Sequence, residues 1–161
     1  MGKPATSPKT YSDGLLAFVD DSGNTERKSE WYVLAGYIST PEGWSHFQEK
    51  WQSVLDQPPK LAIFKGNRVF ARRRGDPWAS MTDEKRDARL RAFIKVIAEC
   101  TMRAYYVAIR SSDFREILQD QLYSELRSPY YWLFITCLKV MESAERQTGD
   151  RRRISCVFDY D

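Results

Sequence analysis

The chain is poor in the residues that most metal and redox chemistry needs. A single histidine, His46, stands among 161 residues. Chemistry built on several imidazoles is therefore excluded, and with no acid or nucleophile placed beside it His46 reads as a surface or packing residue. The three cysteines, Cys100, Cys137 and Cys156, are an odd number at wide spacing and form no paired short zinc motif. Each lies in an apolar stretch, so buried, reduced thiols are expected, and a cytoplasmic, reducing compartment fits them. No apolar run approaches the ~20 residues that cross a bilayer, and the N-terminus lacks the apolar core of a secretory signal. No glycine-rich phosphate loop is present, which leaves a nucleotide binder of that type without support. The net charge of +3 is too small to make a nucleic-acid binder by itself, so the arrangement of charge has to be read instead.

What is present describes an ordinary globular α/β chain. Residues 1–13 are polar, hold Pro4 and Pro8, and read as a flexible leader. From residue 14 to 161 a single domain is expected. Leu15 to Val19 is a continuous apolar run that ends in turn formers, which predicts a buried strand and a tight turn. Trp31 to Ser39 is rich in aromatic and β-branched residues and predicts a second strand, hairpin-linked to the first. Pro41 and Glu42 open a helix with Trp44, Phe47, Trp51, Val54 and Leu55 at helical spacing, closed by Pro58-Pro59. Leu61 to Arg74 reads either as a short strand or as irregular chain.

Another helix is expected from Thr82, with Phe93, Val96, Ile97 and Cys100 on its apolar face. Arg103 to Ile109 predicts a third strand. Ser111-Ser112-Asp113 caps a further helix with Phe114, Ile117, Leu118 and Leu122 as its apolar positions. After Ser128-Pro129 a long helix runs to about Gln147, with Leu133, Phe134, Cys137, Leu138 and Met141 facing inward, and Gly149-Asp150 stops it. Ile154 to Phe158 predicts a last strand, followed by Asp159, Tyr160 and Asp161. The fold class is mixed α/β, with a sheet flanked by helices. An end directly after a core strand leaves that edge uncovered, so the domain is expected to be incomplete at its C-terminus.

Two carboxylate positions attract attention. Asp20 and Asp21 follow an apolar strand, and strand ends are where open α/β sheets hold ligands. As neighbours on a strand they face opposite sides, so only one enters a given site; Asp21, Ser22 and Gly23 would shape it. Asp159 again follows an apolar strand. If the two strands lie side by side, Asp20 and Asp159 meet at one rim, where a hard divalent cation relieves their repulsion. The alternative is that these acids only decorate turns.

The basic residues form a third feature. Arg72-Arg73-Arg74 and Arg151-Arg152-Arg153 fall in predicted loops. Guanidinium forks match phosphate geometry, and with Lys65, Arg68 and Trp78 they could follow a nucleic-acid backbone. Against this stands a plain solvated loop face, with Asp76 and Asp150 offsetting part of the charge. The aromatic groups Tyr105-Tyr106 and Tyr130-Tyr131-Trp132 read as core or interface, and serve for base stacking only where they are exposed.

The run Phe18 to Asn24, then Trp31 to Ser39, Trp44-x-x-Phe47-x-x-x-Trp51, Phe64-Lys65, Ser128-Pro129-Tyr130-Tyr131 and Val157-Phe158-Asp159, resembles the domain-of-unknown-function 3800 family over nearly the whole chain. That resemblance implies a ribonuclease-H-like fold with a two-metal nuclease-type centre. By motif matching it implies Asp20 and Asp159 as catalytic, Mg2+- or Mn2+-binding aspartates, and Lys65 as a phosphate contact. Two departures stand out. Gly66, Asn67 and Arg68 occupy a stretch where relatives often carry an acid, and a later helical segment with a further aspartate has no counterpart here.

Two functions of different class follow. One is a metal-dependent nuclease-like protein that hydrolyses phosphodiester bonds in DNA or RNA, with Lys65, Arg68, Arg72, Arg73 and Arg74 contacting the nucleic acid. The other is a catalytically incomplete binding or dimerisation module of the same fold, pairing through an uncovered edge or an aromatic surface.

Overall fold

A computed structural model describes residues 14–22, 30–71, 73–100, 102–118 and 128–158. The elements run β1 (Leu15–Ser22), β2 (Trp31–Ser39), α1 (Pro41–Leu55), α2 (Gly66–Val69), a 3-10 turn (Pro77–Ser80), α3 (Asp83–Glu99), β3 (Arg103–Arg110), α4 (Ser111–Asp113) with a π turn (Phe114–Leu118), α5 (Pro129–Gln147) and β4 (Ile154–Phe158). The chain divides into two compact units. One joins Met1–Pro41 to Arg103–Asp161, and the other is Glu42–Met102.

The first unit carries a four-stranded mixed sheet in the order β3-β2-β1-β4. β1 and β2 pair antiparallel, as do β2 and β3, while β1 and β4 run parallel. Alternation along β1 buries Leu15, Ala17 and Val19 on one face. They pack with Leu34, Ile38 and Val107 from β2 and β3, and with Leu133, Cys137 and Met141 of α5. Gly36 on β2 permits a close approach of β1, since a Cβ there would stand 2.3 Å from the Phe18 carbonyl oxygen. α5 starts with Pro129 in its first turn, where a missing N–H costs nothing. It ends at Gln147 with Thr148 as C-cap, and Gly149 follows with a φ of 81°, which suits glycine.

The second unit has its own core. Val54, Leu55, Leu61, Val69, Trp78, Met81, Phe93, Val96 and Cys100 form it. Aromatic rings join its parts, with Trp51 and Phe93 centroids 4.4 Å apart and Phe64 and Phe93 4.8 Å apart. Arg89 is buried and donates to the carbonyls of Val54 (2.9 Å), Gln57 (3.0 Å) and Pro58 (3.0 Å). It thereby satisfies acceptors freed where α1 ends. The N-terminus of α3 is capped by Thr82, whose hydroxyl accepts from the Lys85 N–H.

Several expectations are refined. The segment 61–74, left open between strand and irregular chain, contains the short helix α2. Asp113 is not a helix cap, because the helix begins two residues earlier at Ser111, and its carboxylate accepts from the Ser112 hydroxyl instead. Ile117 is exposed, since the widened π turn shifts it off the inner face that Phe114 keeps. Leu122 lies outside the described residues. Among the described residues no helix is long and apolar enough to cross a membrane.

Candidate functional site at the strand ends

β1 is longer than its apolar run. Asp20, Asp21 and Ser22 are strand residues, paired in register with Ala35, Leu34 and Val33, so the turn begins beyond them. Alternation places Asp20 on the face of Phe18, opposite Val19, and Asp21 on the face of Val19. All three polar residues are exposed. The Asp20 Oδ1 accepts the Asp21 N–H at 2.8 Å, which orients one carboxylate oxygen.

β4 lies directly beside β1 in parallel register, down to Val19 opposite Phe158. The next residue on β1 is Asp20, and the residue after Phe158 in the sequence is Asp159. Asp159, Asp161, Gly23 and Arg72 lie outside the described residues. Magnesium is commonly held by one or two carboxylates completed by water and phosphate oxygens, so the donor type at this rim suits a hard cation. Among the described residues no group of three or more His, Cys, Asp or Glu side chains stands together to hold a metal.

The face that carries Asp20 also carries aromatic surface. Asp20 pairs with Ala35, and Ala35 pairs with Tyr106 on β3. Two strand spacings therefore separate Asp20 from Tyr106, roughly 10 Å. The small Ala35 lies between them, and Tyr106 is 74% exposed. Phe18 and Val157, cross-strand partners on the same face, are also about half exposed.

The first basic group belongs to the second unit. Lys65 precedes α2, Arg68 lies within it, and Arg73 and Arg74 follow. All four side chains are exposed, and none enters an ion pair among the described residues. Trp78, expected to work beside them, is 1% exposed and packed in the core. The bend that buries it is fixed by Asp76, which accepts the Trp78 N–H at 3.0 Å and so caps the 3-10 turn.

The second arginine triplet stands elsewhere. Arg153 precedes β4, and its carbonyl accepts the Leu15 N–H at 2.8 Å. This is the end of the sheet opposite Asp20, five residues of strand away from Leu15, or about 17 Å. The triplet therefore does not contribute to the Asp20 rim.

That opposite end holds a cluster that the sequence reading missed. Glu145 is 2% exposed. Its Oε1 accepts from the Arg103 Nε (2.8 Å) and the Tyr105 hydroxyl (2.5 Å), and its Oε2 accepts from the Arg103 Nη2. Burial, then the hydrogen bond to the Glu145 carboxylate, raises the Tyr105 phenol above its ordinary pKa. Nearby, Arg152 grips Asp150 through Nε and Nη2, the latter at 2.6 Å, and through its backbone N–H. The Arg152 side chain is the leading cause that lowers the Asp150 pKa to about 2. Only the position of Glu145 was legible. It continues the four-residue spacing of Leu133, Cys137 and Met141 into the buried stripe of α5.

The three cysteines are free. Burial raises the Cys137 thiol to about 11 and also raises Cys156, which keeps both protonated and poorly nucleophilic at neutral pH. Comparisons of the chain with family models, with curated proteins and with solved structures gave no match. What the fold and site define is therefore a class: a mixed α/β protein whose four-stranded sheet is covered by a helix and ends in an exposed acidic rim.

Proposed function

We propose that the chain is a ribonuclease-H-like, nucleic-acid-directed protein that hydrolyses phosphodiester bonds, with Asp20 and Asp159 as its acid pair. The observation that carries this reading is the parallel, in-register pairing of β1 and β4 up to Val19 and Phe158, the residues that immediately precede the two aspartates. A Mg2+ or Mn2+ ion held there would bind phosphate oxygens and activate water for in-line attack. Tyr106 supports nucleic acid as the partner, because it offers an open ring in the same cross-strand row as Asp20. Lys65, Arg68, Arg73 and Arg74, which enter no ion pair among the described residues, add positive charge for DNA or RNA phosphates. Three free cysteines fit a cytoplasmic setting.

Calorimetric titration of Mg2+ and Mn2+ into the chain, into Asp20→Asn and into Asp159→Asn tests the reading. Saturable binding that is lost in both variants is expected. Binding that ignores both substitutions, or is absent, would sink it.

A second reading has its own support. Among the described residues no three-acid cluster forms, and β4 is one of the two outer strands of the described sheet. A non-catalytic module that dimerises through that edge fits both facts. Sedimentation at rising concentration separates the two, since the module is expected to be a dimer and to bind no cation.

A further inference from the structure

A cleft of about 710 Å³ opens between the C-terminal half of α5, the connection 150–153 and the start of β4. Its floor is apolar, formed by Leu138, Met141, Ile154 and Cys156. The volume falls in the range that takes small organic ligands. The cleft lies wholly within the first unit, at the end of the sheet away from Asp20.

The charge at its mouth is decided by pairing. Seven charged residues line the cleft, four arginines and three acids. Glu142 is taken by Arg146 at 2.5 Å, Asp150 by Arg152 at 2.6 Å, and Glu145 by Arg103 together with Tyr105. Two arginines remain over. Arg151 and Arg153 are exposed, and their guanidinium groups enter no hydrogen bond or ion pair among the described residues. α5 also ends here, and a helix C-terminus contributes about half a negative charge. Two full positive charges outweigh it. Arg152, which lies between these two arginines in sequence, is clamped to Asp150 and holds the connection in place.

We propose that this cleft binds a phosphate monoester with a planar apolar body, of nucleotide size. Arg151 and Arg153 take the dianionic phosphate, and the body rests on Leu138, Met141 and Ile154. Two guanidinium forks match the charge and the oxygen geometry of a terminal phosphate. A single phosphate would leave most of the cleft empty, which is why a body is required. The chemistry is shared by a free mononucleotide and by the 5′-phosphorylated end of a strand. The site is separate from the Asp20 rim and does not depend on hydrolysis there.

The test titrates AMP, adenosine and a short single strand with and without a 5′-phosphate into the full chain, with methyl NMR as the readout. Saturable shifts at Leu138, Met141 and Ile154 with AMP are expected, with adenosine at least tenfold weaker. The double variant Arg151→Gln/Arg153→Gln is expected to lose at least tenfold in AMP affinity, and Asp20→Asn to lose none. Tighter binding of the 5′-phosphorylated strand than of AMP would assign the site to strand ends, and equal or weaker binding would assign it to free nucleotides. The proposal is overturned if neither phosphorylated probe saturates at millimolar concentration, if the arginine variant binds as the native chain does, or if Asp20→Asn abolishes binding.

Discussion

Arg103 and Glu145 meet edge to edge across the first unit, with Nε and Nη2 of one facing Oε1 and Oε2 of the other. One residue begins β3 and the other lies in the last turns of α5, so the pair ties helix to sheet at the point where the apolar stripe of α5 runs out. The carboxylate is nearly inaccessible while the guanidinium is partly open. Neither ion is stranded, because Tyr105 supplies a third donor to the acid.

Substitution at this pair is expected to be asymmetric. Glu145→Ala should destabilise the protein by about 2 kcal/mol, since it removes charge-assisted hydrogen bonds that are partly screened on the arginine side. Arg103→Ala should cost more, because it leaves a buried carboxylate with one donor. Urea denaturation of the two variants checks the order. A larger loss for Glu145→Ala would contradict it.

Asp150 supplies a pH dependence with a definite sign. Its folded pKa is lowered from the ordinary aspartate value of 3.8 to about 2, chiefly by the Arg152 side chain. A depressed carboxylate contributes stability that is fully present above its unfolded pKa and is lost as pH falls through the folded value. Stability should therefore be flat in this contribution from neutrality down to about pH 4, then fall towards pH 2. Asp150→Asn should flatten that fall, as read by thermal unfolding across the acid range.

Gly36 is expected to tolerate no side chain. An added Cβ meets the Phe18 carbonyl and the Val19 backbone, neither of which can swing aside as a side-chain tip would. Gly36→Ala should cost about 1–3 kcal/mol, the usual penalty of overpacking. A variant as stable as the native chain in urea would show that β1 and β2 can separate locally without loss.

Tyr106 tests the nucleic-acid reading without disturbing the core. Its ring is open to solvent, so Tyr106→Ala should change stability by less than about 0.5 kcal/mol. Binding of a fluorescent single strand should weaken by about 1–3 kcal/mol if a base stacks there. Unchanged affinity would remove the tyrosine from the interface.

The strands and long helices were legible because their apolar patterns are long and clearly bounded. Trp31–Ser39, Ile154–Phe158 and the helix from Pro129 to Gln147 stand where the sequence places them. The adjacency of β1 and β4 could only be posed as a condition, since 131 residues separate Ser22 from Ile154 and pairing over that distance leaves no local signature. Trp78 was misjudged because its nearest neighbours are polar and arginine-rich, while the rings that bury it, such as Phe64 at 6.1 Å, come from elsewhere in the chain. Glu145 was passed over for the opposite reason. A carboxylate on an apolar stripe looks like a surface residue until Arg103 and Tyr105 are brought to it from β3.

Ile38 and Arg103 face each other as ladder partners, although the whole second unit, Glu42–Met102, is strung between them. The point where the chain leaves the sheet and the point where it returns are thus about 5 Å apart. To the sheet, that unit is a hairpin loop of unusual length. The entropy of closing a loop grows only with the logarithm of its length, so the β2–β3 ladder is nearly indifferent to what it carries. Selection could enlarge, trim or exchange that cargo while leaving the register of the strands, and with it the acidic rim, untouched.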